Sequence, residues 1–437
     1  MKIYDAPLSK TVEELKEEEK SLTEVLDEFR GRVKEVNPEI EALVDPPNWD
    51  HLKKRAANLE KRKDKEELPL YGALVAPKDI INVDGLPTKA NSDLPPEAFY
   101  GPESEAVTAL KDAGALILAK ADCTEMAKRV PCDARNPYNL SHTPGGSSSG
   151  SGAAVGAGIC HISLGTQTTG SNNRPAAFCG TVGLKPTHNR ISTVGVMERS
   201  VSLDHVGILT QDIEGAELVA SVVCEDWSTD EVTESKPTLG IPTGAFFDRL
   251  RPEGQKSFEK HVETLDNNGY EIKRTNLFEN IDEEFELHGL QNAMETALSH
   301  HERYEEYGDL YSDVFSDFLT EGREQTIEKL GIAREQQKQM RENVEKTMKS
   351  EGIDAWIFPP ALGTAPEGLE ETGSAFMQAP WTRTGMPAVT LPGGYVNGLP
   401  VGLQIATSRG DDEQLLTWAK LISPLINNSM NFNIDTK

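Results

Sequence analysis

The sequence has little that would place the protein in a membrane or on a nucleic acid. None of its apolar runs approaches the roughly 18 residues that a membrane-spanning helix needs. Only 44 lysines and arginines stand against 71 aspartates and glutamates in 437 residues, which gives a net charge of −27. A surface this acidic repels phosphate backbones and anionic lipids. We therefore expect neither a nucleic-acid partner nor a membrane partner.

Cysteine is also scarce, and its pattern excludes two common kinds of site. The five cysteines are odd in number, scattered, and without CxxC or Cys/His ligand spacing (Cys123, Cys132, Cys160, Cys179 and Cys224). This pattern indicates neither a disulfide framework nor a zinc site. The first residues become charged at once and lack the apolar segment of a secretory signal. We expect a cytoplasmic protein with reduced thiols and no metal ion.

The first half of the chain alternates helical and strand-like segments. Apolar residues recur at helical spacing over 11–44, and a second, charged helix is expected at 50–66. The apolar run LYGALVAPKDIINV has the character of a buried strand and contains Lys78. A helix capped by Ser104 and running to Asp112 leads to the strand-like ALILAKAD. This strand, helix, strand order predicts an α/β fold whose sheet is at least partly parallel.

The second half returns to strands after a long helical region. Residues 283–350 are acidic and rich in Glu, Gln and Arg, which predicts a helical lid or insertion. Strand-like segments follow within 352–424, and we expect them to rejoin the same sheet. With no internal repeat visible, the interpretation is a single domain over 1–437.

A Gly- and Ser-rich segment from Pro144 to Thr187 carries the chemistry, and two interpretations of its serines compete. The string from Gly146 to Gly150 satisfies GxSxG, which would make Ser148 the nucleophile of an α/β-hydrolase. That motif must follow a strand, whereas here it follows the residues 142–145, His-Thr-Pro-Gly. No acid and histidine pair is marked out by a motif, although four histidines stay open as partners: His205, His288, His300 and His301.

The other interpretation rests on a resemblance to the amidase signature family. Its loops are matched by GGSSSGS at Gly145–Ser151 and GTQTTGS at Gly165–Ser171. Arg-Pro-Ala at 174–176 and GLKPT at 183–187 follow in the family's order. The resemblance covers a signature core over 65–225 and, more weakly, residues 352–424.

This resemblance implies a fold, a triad and a reaction. The fold is α/β, with a large mixed, twisted β-sheet covered by helices on both faces. The catalytic residues carry over onto Lys78, Ser147 and Ser171, with a cis peptide geometry at Ser147. The reaction is hydrolysis of a carboxylic amide, with esters or carbamates as further substrates, through a Ser171 acyl-enzyme and without a cofactor.

Elementary chemistry agrees with these roles. A serine is a weak nucleophile until a base takes its proton, and lysine is a base only when it is neutral. Burial in apolar surroundings would lower the pKa of Lys78 towards neutrality. The alternative is that Lys78 forms a structural ion pair with its neighbour Asp79.

Substrate-binding residues are less defined. The backbone N–H groups of Thr168, Thr169, Gly170 and Ser171 are expected to form an oxyanion hole. Met126 falls where the family has its pocket wall, although a place in the apolar core is equally open.

The pair Asn172 and Asn173 would bind either the substrate or its own loop. The chain departs from the family at Gln167, which replaces a common Asp, and at Thr169, which replaces a common Gly, and Arg174 follows Ser171 by three residues where two are usual.

Two other functions stay open. One is a glutamine amidotransferase subunit that works only with partner subunits, which the acidic surface and modest length disfavour. The other is a catalytically silent binding protein of the same fold. A small-molecule amide is the expected partner, and a homodimer is expected only from the family.

Overall fold

The computed structural model describes residues 4–128, 130–426 and, for the backbone alone, 431–432. Three helices open the chain: α1 (Leu8–Lys16), α2 (Leu22–Ile40) and α3 (Trp49–Leu59). The prediction of one helix over 11–44 was wrong, because Ser21 begins a new helix with a capping box. Its side chain accepts a hydrogen bond from the Glu24 backbone N–H, and the Glu24 carboxylate bonds back to the Ser21 N–H.

A small two-stranded parallel sheet follows. Strand β1 (Leu74–Val75) pairs with β2 (Leu116–Ile117), and α4 (Glu105–Asp112) lies between them in sequence. The expected strand, helix, strand order is therefore present. Ser104 precedes α4 as expected, but its side chain makes no capping hydrogen bond.

The large sheet is mixed, with neighbours in the order β3-β5-β4-β9-β10-β8-β6-β7. Its strands are β3 (Ser163–Gln167), β4 (Val182–Lys185), β5 (His205–Thr210), β6 (Leu239–Pro242), β7 (Ile272–Thr275), β8 (Ala355–Phe358), β9 (Ala388–Val396) and β10 (Leu399–Ala406). Pairing along this path is antiparallel except at β8-β6-β7, and β11 (Asn431–Phe432) runs parallel to β9. The sheet thus joins strands from before and after residues 283–350.

Helices cover both faces of this sheet. Every residue of β4, β5 and β10 is buried, and since successive side chains of a strand point to opposite faces, neither face is open to solvent. The remaining helices are α5 (Ser149–Gly156), α6 (Asn173–Phe178), α7 (Ile213–Val223), α8 (Pro252–Asn267), α9 (Ile281–Ser299), α10 (His301–Tyr307), α11 (Asp313–Arg323), α12 (Ile327–Glu351), α13 (Ala379–Arg383) and α14 (Asp412–Ile426). The predicted α/β fold class is confirmed.

Residues 283–350 are helical as predicted, forming most of α9 and α12 and all of α10 and α11. Whether they act as a lid, and whether 1–437 is one domain, stay predictions. Among the helices of the described ranges, none has the length and apolarity that a bilayer crossing requires.

Candidate active site

Lys78 lies at the centre of the site. It follows β1 by three residues, and its backbone N–H donates to the Leu164 carbonyl of β3 at 2.8 Å. Its side chain is fully buried, and Nζ donates to Ser147 Oγ at 2.6 Å and to Thr166 Oγ1 at 2.8 Å. The ammonium is thus held between two hydroxyl groups.

Asp79 does not pair with Lys78. Its Oδ1 lies 2.9 Å from Lys120 Nζ, and its Oδ2 accepts from the backbone N–H groups of Lys89 and Ala90. The alternative of a Lys78–Asp79 ion pair is therefore wrong. Burial then dominates and lowers the pKa of Lys78 to about 7, far below that of an exposed lysine. A neutral amine is available at ordinary pH.

Ser147 is positioned through its own backbone. The Gly146–Ser147 peptide bond is cis, as the resemblance implied. The Arg174 guanidinium donates to the Gly146 carbonyl and, at 2.8 Å, to the Gly373 carbonyl. On the other side, the Thr124 N–H donates to the Ser147 carbonyl at 3.1 Å. The turn that carries Ser147 is therefore fixed from two sides.

Ser171 begins the turn that leads into α6. Gln167 shapes this turn, because its Oε1 accepts from the backbone N–H groups of both Asn172 and Asn173 at 3.0 Å. The N–H of Ser148 donates to the Ser171 carbonyl at 3.2 Å, which joins the two serine loops. The side chain of Gln167 thus holds the turn after Ser171 through two backbone N–H groups.

The asparagine pair binds its own surroundings. Asn172 Nδ2 donates to Asn173 Oδ1 and to the Leu184 carbonyl, and Asn173 Nδ2 donates to the Ala388 carbonyl. Both side chains are fully buried. Of the two roles considered from the sequence, the structural one applies.

The loop before Ser171 presents free donors. Among the described residues, no acceptor takes a hydrogen bond from the backbone N–H groups of Thr169, Gly170 or Ser171. The Thr168 hydroxyl donates to Asp204, and the Thr169 hydroxyl lies 2.9 Å from His288 Nε2. The N–H groups of 169–171 are thus free to donate to a substrate oxygen, and the oxyanion hole stays a prediction.

Ser147 and Ser171 both line one cleft of about 260 Å³. Thr169, Arg174 and His288 line it too, whereas Met126 does not. Met126 is fully buried in the main apolar core, although Thr124 and Ala127 on either side of it border the cleft. A larger groove of about 1060 Å³ beside α2 contains none of the three triad residues.

Ser148 is not placed as a nucleophile. Its side chain is fully buried, with Oγ donating to the Thr166 carbonyl and accepting from the Thr166 N–H. Of the four histidines considered as partners, His288 alone lines the cleft. The GxSxG interpretation is therefore not supported.

Sequence reasoning missed Thr166, Arg199 and Asn292. Thr166 stands inside the GTQTTGS motif, so its proximity to the catalytic loop was a usable signal. Arg199 and Asn292 line the cleft from a loop before β5 and from α9, and no motif marks them. In the described part of the chain, no group of three or more His, Cys, Asp or Glu side chains is arranged to hold a metal ion.

Comparisons with known proteins identify the family and the fold. A crystal structure of an amidase superimposes with a TM-score of 0.86 and 29% identity, covering 95% of this chain and 99% of that one. The peptide amidase of Stenotrophomonas maltophilia has a TM-score of 0.83 at 21% identity, with 99% of both chains covered, and shows the fold alone.

Among sequence relatives, a glutamyl-tRNA(Gln) amidotransferase subunit of Clostridium botulinum (strain Okra / Type B1) is 29% identical over 94% of this chain and 96% of its own. The protein of the same name from Methanocaldococcus jannaschii is 28% identical over 91% and 98%. The amidase family model matches residues 24–416. Since this match spans most of the sequence, the chain belongs to the amidase family.

Proposed function

We propose that the protein hydrolyses a carboxylic amide of a small molecule through an acyl-enzyme on Ser171. The observation that carries the proposal is the contact of the buried Lys78 amine with Ser147 Oγ at 2.6 Å, at a cleft that Ser171 also lines. A base, a relay and a nucleophile are what amide cleavage requires.

In the proposed reaction, Ser171 Oγ attacks the carbonyl carbon while its proton passes to Ser147, which gives its own proton to neutral Lys78. The negative charge that develops on the carbonyl oxygen is stabilised by the free N–H groups of the 169–171 loop. As the C–N bond breaks, the relay returns a proton to the nitrogen, so the amine leaves neutral. Water then attacks the ester on Ser171 by the same relay and releases the acid.

The amidotransferase relatives support a second candidate. Glutamine is itself a carboxylic amide, so the chemistry at Ser171 would be the same and only the fate of the ammonia would differ. The chain covers 98% of the Methanocaldococcus jannaschii relative, so its length does not count against this function. The acidic surface still disfavours a role close to tRNA. A cytoplasmic location and a homodimer stay predictions.

The test is to offer the purified chain, without partners, a panel of aliphatic, aryl and peptide-terminal amides together with glutamine. Hydroxylamine is added as a competing nucleophile, because an acyl-enzyme would give a hydroxamate. We expect both products, and their loss in Ser171→Ala. Ser151→Ala is the matched control, since Ser151 is in the motif that carries Ser147 but its buried hydroxyl has no partner among the described residues. Turnover of glutamine alone, and only with added partner subunits, would favour the second candidate.

A further inference from the structure

The charged side chains that line the catalytic cleft are of one sign. They are Lys128, Arg174 and Arg199, and among the described residues no carboxylate side chain lines it. This contrasts with a chain whose net charge is −27. Because acidic residues outnumber basic ones in the chain, a cleft whose charged lining residues are all Lys or Arg is unexpected and needs an explanation.

Arg174 already binds the Gly146 carbonyl at the cis peptide, whereas the contacts of Arg199 lie elsewhere in the cleft wall. The Arg199 guanidinium is 3% exposed and donates to the Ala127 carbonyl at 2.6 Å and to Asn292 Oδ1 at 3.0 Å, both neutral acceptors. Its Nε is buried without a partner among the described residues. A buried cation held only by neutral groups is costly unless an anion accompanies it.

Asp204 is the carboxylate that raises the pKa of Arg199, although it forms no ion pair with the guanidinium. Asp204 Oδ2 accepts from the backbone N–H groups of Arg199 and Ser200, and Oδ1 accepts from Thr168. Among the described residues, no carboxylate lies within ion-pair distance of the guanidinium. Burial lowers the pKa of Arg199 to about 10, so the side chain keeps its charge at neutral pH.

Lys128 adds a second cation to the lining of the cleft. Its ammonium lies 3.4 Å from the centre of the Phe318 ring of α11, which holds it in place through a cation–π contact. The pKa of His288 is lowered to about 3, mainly by burial and also by the positive charges of Arg383, Lys128 and Arg199. We call Lys128, Arg199 and Asn292 the cationic wall.

We propose that the cationic wall is an anion subsite, and that the natural substrate is an amide that also carries a carboxylate. The proposal rests on the proposed function, since it names the class of substrate for the same cleft. An arginine and a lysine together would hold a carboxylate through charge-assisted hydrogen bonds. Such contacts orient the amide over Ser171 and discriminate against uncharged analogues.

The test compares kcat/KM for matched amides that differ in charge. On the acyl side, monoamides of dicarboxylic acids from succinate to adipate are set against analogues in which an acetyl group replaces the carboxylate. On the amine side, N-acetylglycine is set against its methyl ketone. We expect the anionic member of at least one pair to be preferred by about tenfold or more.

Variants locate the preference. In Arg199→Gln the ratio of anionic to neutral kcat/KM should fall about tenfold, in Lys128→Gln it should also fall, and Arg199→Lys should restore part of it. The matched control is Lys89→Gln, which removes one positive charge at an exposed lysine outside the cleft. Its ratio should equal that of the unaltered protein.

Labelling of Ser171 by a neutral fluorophosphonate separates the two claims and needs no turnover. The anionic monoamides should protect Ser171 from labelling better than their neutral analogues, and this difference should shrink in Arg199→Gln. If Ser171 is labelled but charge affects neither protection nor kcat/KM, the anion subsite is refuted and the proposed function survives. If Ser171 is not labelled at all, the proposed function itself fails.

Discussion

At the scale of single residues, the site depends on what burial does to one lysine. Lys78 has no carboxylate at contact distance among the described residues, and both partners of its Nζ are neutral hydroxyls. Desolvation is therefore the main cause of its lowered pKa of about 7. Burial, together with the positive charge of Arg199, is what would let this lysine act as a base.

The pH dependence of catalysis follows from that pKa. Because the base must be neutral, kcat/KM should rise with pH through about 7 and then level off, and activity should be lost as pH falls. Lys78→Arg should be inactive throughout, since a guanidinium stays protonated. A pH–rate profile checks both.

Lys185 supplies a matched control for this profile. It is also fully buried with a pKa of about 7, but its Nζ donates to the Pro186 and Met386 carbonyls away from the cleft. Lys185→Met should keep the inflection near pH 7. A profile that follows Lys185 and not Lys78 would contradict the assignment of the base.

Thr166 should act as a positioning residue for Lys78. Thr166→Val keeps the shape of the side chain but removes the hydroxyl that accepts from Nζ, so we expect kcat to fall by about tenfold with little change in KM. Thr166→Ser should recover most of the loss. Steady-state kinetics of the two variants would decide, and a Thr166→Val enzyme with normal kcat would show that Ser147 alone positions Lys78.

At the scale of elements, the catalytic loop is held by hydrogen bonds that few sequence patterns announce. Besides accepting from two backbone N–H groups, Gln167 donates to Thr382 Oγ1 at 3.0 Å, and Thr382 in turn donates to the Thr169 carbonyl at 2.6 Å. Helix α13, more than two hundred residues away in sequence, thereby fixes the loop that carries Ser171.

Removing this support should cost stability and reactivity together. Gln167→Met leaves two buried N–H groups without an acceptor, so we expect the free energy of unfolding to fall by about 2–4 kcal/mol. Labelling of Ser171 should also slow. Gln339→Met, at an exposed position of α12, is the control and should change stability by less than about 0.5 kcal/mol. Urea unfolding measures the stability of both variants, and equal free energies of unfolding for the two would refute the role of Gln167.

Secondary-structure elements that are determined by neighbouring residues in the sequence could be predicted, whereas those determined by tertiary contacts could not. The small residues of α5 indicated close packing, and a Cβ added at Gly150 would lie 2.2 Å from the Ala42 carbonyl oxygen. Sequence could not reveal that β1 and β2 form their own small sheet, or that the large sheet is mostly antiparallel. Strand pairing is decided by tertiary contacts, which a strand's own residues do not encode.

At the scale of the whole molecule, the same burial that activates Lys78 acts on many histidines. Five fully buried histidines have pKa values lowered mainly by desolvation: His161, His205, His261, His288 and His300. His161 Nδ1 accepts a hydrogen bond from the Leu74 N–H, which requires the neutral ring. The folded state therefore holds these side chains uncharged.

This predicts a marked loss of stability in mild acid. Below the ordinary histidine pKa of about 6.5, these histidines bind a proton in the unfolded chain but stay neutral in the folded state. Each of them therefore lowers the free energy of unfolding by about 1.4 kcal/mol for every pH unit. Urea unfolding between pH 7 and 5 should show a total loss of about 5–10 kcal/mol.

Two variants sharpen this measurement. His161→Asn, whose Oδ1 can replace Nδ1 as an acceptor, should reduce the slope of stability against pH. His51→Gln, at an exposed histidine of α3, should leave the slope unchanged. Equal slopes for His161→Asn and the unaltered protein would contradict a neutral, buried His161.

Some residues of the cleft could be predicted from the sequence and others could not. The contact of Lys78 with Ser147, and the place of Ser147 and Ser171 at one cleft, were predictable because motifs mark all three residues, and their catalytic roles stay a prediction. The three residues of the cationic wall come from segments that carry no recognisable motif. Lys128 lies in a loop, Arg199 lies in the stretch before β5, and Asn292 lies in α9. Such residues meet only through the fold, so no local pattern could select them.

The most direct test of the account is to react the purified chain with a fluorophosphonate probe and map the modified peptide by mass spectrometry. The account predicts one adduct, on Ser171, that is lost in Lys78→Ala and retained in Lys185→Met. An adduct on Ser148, or labelling of Ser171 that persists without Lys78, would contradict the Ser-Ser-Lys mechanism.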